Sequence, residues 1–67
     1  MTVHELPKRL FTLAETAHIL SMGRTRLFAE IRDGRLDTVG TGKNRRVTVD
    51  AIDAYVELLK HEAEDAA

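Results

Sequence analysis

The sequence predicts a mainly α-helical fold carrying one small β-hairpin, and three observations lead there. Two short apolar stripes are separated only by Ser21-Met22-Gly23; two runs with β-branched residues flank Gly40-Thr41-Gly42; and Ile52, Tyr55, Val56 and Leu59 recur at i, i+3, i+4 and i+7. With 67 residues, 43% hydrophobic and 31% charged, the chain has a globular balance and room for one small domain. The absence of cysteine excludes disulfides and thiolate metal sites, and fits a reducing compartment. No apolar run approaches the roughly 20 residues needed to span a bilayer, and the start Met1-Thr2-Val3-His4 lacks a basic, apolar leader. The expectation is a cytoplasmic protein with no membrane partner.

Residues 1–9 show no sustained period, and Pro7 disfavours a helix there, so they are expected to form a flexible N-terminal arm. The folded domain is expected over 10–60. Thr12 and Glu15 stand in the spacing of a capping box, which starts the first helix at Leu13, with Leu13, Ala17 and Leu20 on its inner face. Gly23 is placed either for a positive φ in a tight turn or as a modest cap for the next helix. That helix runs from about Arg24 to Asp33, buries Leu27 and Ile31, and ends at Gly34, which suits a left-handed C-terminal residue. The pair makes a helix-turn-helix.

Leu36-Asp37-Thr38-Val39 and Arg45-Arg46-Val47-Thr48 then read as the two strands of a hairpin. Thr48 is a candidate N-cap for a third helix, with Val47 and Ile52 as a hydrophobic staple and Asp50 at the positive end of the dipole. From His61 the apolar positions are all alanine and acids accumulate, so 61–67 is expected to fray into an acidic C-terminal tail. The expected core is Leu10, Leu13, Ala17, Leu20, Leu27, Ile31, Leu36, Val39, Val47, Ile52, Tyr55, Val56 and Leu59.

The formal net charge of −1 conceals a strong asymmetry. Between 24 and 46, Arg24, Arg26, Arg32, Arg35, Lys43, Arg45 and Arg46 face only Glu30, Asp33 and Asp37, so a basic middle lies between acidic ends. On the second helix Thr25, Phe28, Ala29 and Arg32 project away from Leu27 and Ile31, with Arg24 and Arg26 in the first turn. A helix of this size fits a DNA major groove, where Arg can fork onto guanine and Thr25 or Ala29 can meet a thymine methyl. Phe28 either packs at the core edge or touches sugar and base. Lys43, Asn44, Arg45 and Arg46 beside the Gly-Thr-Gly tip form a basic wing, able to follow phosphates or enter the minor groove.

Other chemistries find little support. His4, His18 and His61 are scattered, so no metal and no cofactor are expected. Asp50, Asp53 and Glu57 mark a solvated helix face. No nucleophile motif or phosphate-binding loop is present, and no catalysis is read.

The stretches Leu10-Phe11-Thr12-Leu13-Ala14-Glu15-Thr16-Ala17-His18-Ile19-Leu20, Ser21-Met22-Gly23-Arg24-Thr25-Arg26-Leu27-Phe28, Ile31-Arg32-Asp33-Gly34-Arg35-Leu36 and Arg45-Arg46-Val47 resemble the excisionase family. These are small winged helix-turn-helix proteins related to MerR-type DNA-binding domains, and the resemblance covers about 10–60. It implies a phage, prophage or mobile-element protein that binds double-stranded DNA at an attachment site, bends it, assembles beside neighbouring copies of itself and directs an integrase towards excision. Arg24, Thr25, Arg26, Phe28, Ala29 and Arg32 then fall at the groove, and Lys43, Arg45 and Arg46 on the wing. Gly23 departs from the Ser or Thr that commonly caps the family's second helix. A small MerR-like transcription regulator is the alternative on the same scaffold, as is an interaction module using the acidic C-terminal helix.

Overall fold

The computed structural model describes residues 9–66. Among the described residues come β1 (Leu10–Phe11), α1 (Leu13–Ile19), α2 (Arg24–Arg32), a 3₁₀ turn (Gly42–Asn44), β2 (Val47–Thr48) and α3 (Val49–Ala66). Among these residues, three helices with one two-stranded antiparallel pair make the mainly α fold with a small β element that the sequence predicts, an arrangement compatible with a winged helix-turn-helix. The arm expected at 1–9 lies, apart from Arg9, outside the described residues.

Local chemistry sets the helix starts. The Glu15 amide donates to Thr12 Oγ1 at 3.1 Å and the Thr12 amide donates to Glu15 Oε1 at 2.9 Å, the reciprocal pair that begins α1. For α3 the Ala51 amide donates to Thr48 Oγ1 at 3.0 Å, while Val47 and Ile52 on either side of that cap both enter the core. Gly23 caps α2 with φ −75° and no side-chain bond. The left-handed conformation needed between α1 and α2 falls instead on Ser21, at φ 55°.

The hairpin differs from expectation in its pairing. Between Leu36–Val39 and Arg45–Thr48 the ladder shrinks to one bridge, Val39 with Arg46, closed by two amide–carbonyl bonds of 2.8 Å. Leu36, at the start of the expected strand, is buried in the core and makes no pairing with β2. β2 pairs with the start of the domain, Val47 against Phe11 and Thr48 against Leu10, and the Val49 amide extends the ladder to the Arg9 carbonyl. What remains is a compact wing, residues 40–46. Gly40 sits at its neck with φ +81°, where a Cβ would come within 2.5 Å of the Asn44 carbonyl oxygen.

Ala17, Leu27, Leu36, Val47, Ile52 and Tyr55 form the core, with Leu13, Leu20, Ile31, Val56 and Leu59 packed half-buried around it. Two expected members stand outside: Leu10 is 48% exposed and Val39 46%. Alternation along β1 turns Phe11 inward and Leu10 outward, and Val39 occupies the outer edge of its single bridge. Thr16 joins the interior instead. It is fully buried, and its hydroxyl is satisfied by donating to the Thr12 carbonyl at 2.9 Å.

α3 continues to Ala66 without the fraying expected from His61, and so crosses the boundary drawn at residue 60. This segment carries a long-range contact that the alanine-rich pattern does not reveal. Arg35, just past α2, places both terminal guanidinium nitrogens on Glu62, with Nη2 at 2.6 Å from Oε1 and Nη1 against Oε2.

Candidate nucleic-acid interface

α2 carries three arginines and a single carboxylate, Glu30. Its first turn holds Arg24 and Arg26 with no acid, and its cap lends no side-chain acceptor. The helix dipole, the free amides and both arginines therefore add potential of one sign at this end. Arg24, Thr25, Arg26, Phe28 and Arg32 are exposed and Ala29 is half-buried, so the face turned away from Leu27 is open to a ligand.

The wing stands against the same end of α2. One groove is lined by Arg24, Leu27 and Phe28 from α2, by Gly42, Lys43, Arg45 and Arg46 from the wing, and by Thr12, Leu13 and Ala14 from the start of α1. Four cations from two elements thus face one concavity, and among the described residues no carboxylate lines it. Phe28 is 47% exposed beside them, presenting an aromatic surface between positive charges. Thr25, Arg26, Ala29, Arg32 and Asn44 lie outside this groove, the first four further around or along α2 and Asn44 at the wing tip.

The wing's basic residues divide in role. Lys43 and Asn44 are exposed on the 3₁₀ turn, and Arg45 is half-buried. Arg46 turns back, its Nη1 donating to the carbonyls of Lys43 at 3.2 Å and Arg45 at 2.8 Å, so this guanidinium braces the loop from within. Arg32 lies 3.5 Å from Asp33 with both side chains mostly exposed, a contact that solvent screens and that a phosphate can displace.

Arg35 is withdrawn from the basic middle altogether. Its Nε donates to Glu30 Oε2 at 2.7 Å while the fork holds Glu62, and the Tyr55 hydroxyl donates to the same Glu30 oxygen at 2.9 Å. Arg35, then Tyr55, hold the Glu30 carboxyl below the usual carboxylate range, and Arg35 does the same for Glu62. Burial, reinforced by Glu30, pushes the Tyr55 phenol up. Sequence reasoning missed Thr12, Leu13 and Ala14 as groove-lining residues. The capping box located the helix start but carried no sign that it would abut α2 and the wing.

A curated protein from Saccharopolyspora erythraea described as a probable excisionase is 40% identical to this chain over 55 residues, a match covering 81% of this chain and 56% of the relative. The chain spans little more than half the length of that relative. No family model matches the sequence, and no solved structure matches it.

Proposed function

The chain is related to the excisionase family, and from that premise we propose that it is a non-catalytic accessory protein of site-specific recombination that binds and bends double-stranded DNA. In this reading α2 enters the major groove with Arg24, Thr25, Arg26, Phe28, Ala29 and Arg32, and the wing lays Lys43, Asn44 and Arg45 along the adjacent phosphates or minor groove. Arg46 supports the wing's shape as much as it contributes charge. Neighbouring copies bind side by side, and the complex directs an integrase towards excision.

The observation that carries the reading is the groove between α2 and the wing, which Arg24, Lys43, Arg45 and Arg46 line together with Phe28 and, among the described residues, with no carboxylate. An arrangement of cations with an exposed aromatic suits a polyanion whose bases and sugars offer apolar surface. The test is end-labelled duplex DNA followed by anisotropy for binding and by energy transfer between the two ends for bending. Saturable binding with a shortened end-to-end distance is the expected result. Binding with unchanged end-to-end distance favours the transcription-regulator alternative, and no binding at low salt rejects the DNA reading.

A further inference from the structure

Glu30 is the one carboxylate on α2, and it follows Arg26 by four residues, the spacing at which helical side chains meet. Left to itself, such a carboxylate would fold over Arg26 and neutralise a cation of the proposed DNA-facing surface. The structure uses it elsewhere. Glu30 Oε2 accepts from the Tyr55 hydroxyl at 2.9 Å and from Arg35 Nε at 2.7 Å, and only 14% of its side chain remains accessible. Arg35 is in turn held by its fork on Glu62 of α3. Among the described residues Arg26 is exposed and makes no ion-pair contact, and its charge is felt by Glu30 only as the weakest of the influences that lower that carboxyl.

We propose that the chain Tyr55, Glu30, Arg35, Glu62 sequesters the carboxylate of α2 and thereby keeps Arg26 available to DNA. Arg35 and Glu62 are then positioning residues for a surface that neither of them touches. Leu27 and Ile31 also seat α2 against its neighbours, so the network is not the sole hold on the helix. What the network adds is fixed hydrogen-bond partners for Glu30 other than Arg26, whose charge still reaches the carboxyl but forms no ion pair with it. Tyr55 contributes from within the core, where its rigid ring sets the height of the hydroxyl.

This inference rests on the DNA reading, and a double-mutant cycle separates the two. Duplex affinity is measured by anisotropy for the wild type, Arg35→Lys, Glu30→Gln and the double variant. Arg35→Lys preserves net charge but cannot supply a planar fork. It should weaken binding about threefold, and Glu30→Gln should tighten binding about threefold more in that background than in the wild type. Because Glu30→Gln removes the same charge in both backgrounds, general electrostatics cancel in the comparison. Equal effects in both backgrounds, with the wild type binding normally, overturn the inference and leave the DNA reading intact. No binding by the wild type overturns both. Circular dichroism checks that each variant folds, and Glu62→Gln carries the test if Arg35→Lys does not. Loss of the fork should weaken binding by Glu62→Gln although a negative charge has gone, whereas tighter binding overturns the inference.

Discussion

Arg35 and Glu62, 27 residues apart, meet in a two-pronged ion pair that ties the turn after α2 to the far half of α3. Glu30 completes the network on the other side of the guanidinium. Both carboxyls are held below their ordinary values by Arg35, so each contributes stability that is present above the unfolded carboxylate pKa of about 4.3 and is lost as pH falls through the lowered folded value. Thermal melts of the wild type and Glu62→Gln should therefore differ at pH 6 and converge as pH drops below about 4. A difference that persists unchanged at pH 2.5 would show that the variant acts by something other than the charge pair.

Leu27 is fully buried at the centre of the core, whereas Leu10 is nearly half exposed on β1. Leu27→Ala should cost about 2 to 5 kcal/mol, enough to unfold a domain this small, while Leu10→Ala should stay within about 0.5 kcal/mol. Urea unfolding of both variants checks the contrast. Comparable losses would mean that β1 is more central than its exposure indicates.

Gly40 combines a positive φ with a neighbour that leaves no space for a side chain. Gly40→Ala should collapse the Val39–Arg46 bridge and splay the wing, lowering duplex affinity while the melting of the helices changes little. Amide exchange at Val39 and Arg46 reports the bridge directly. Retained protection at both amides would contradict the assignment of Gly40 as the wing's neck.

Thr12→Ala removes half of the α1 capping box and should cost about 1 kcal/mol by urea unfolding. A loss below about 0.3 kcal/mol would place the start of α1 under the control of packing rather than its cap.

Much of this fold is legible in the sequence wherever a local signal decides the outcome. Thr12 with Glu15, Thr48 with the Val47 and Ile52 pair, and Gly34 after α2 mark element ends by chemistry within a few residues, and the structure uses each of them. Pairing between distant segments is a different matter. Nothing near Leu10 announces that it will lie against Thr48, because the two are 38 residues apart in sequence and no local preference links them. Thr16 shows a subtler gap. By helical angle it belongs with Leu13 and Leu20, but its hydroxyl argues for solvent until the Thr12 carbonyl is seen to accept it. The basic middle was legible as a charge count, yet that count could not separate Arg24, Lys43 and Arg45 in the groove from Arg46, which lines it while bracing the wing, and from Arg35, bound to two carboxylates.

The central claim is that α2 and the wing grip DNA through one shared groove, and a salt titration of duplex binding tests it most directly. Arg24, Arg26, Arg32, Lys43 and Arg45 are the cations open to phosphate, so log affinity should fall against log salt with a slope of roughly −4. The double variant Arg24→Ala, Arg45→Ala removes one cation from each side of the groove, and should reduce that slope by about 2 while leaving the melting temperature close to that of the wild type. A flat salt response in the wild type, or an unchanged slope in the folded double variant, would contradict the account.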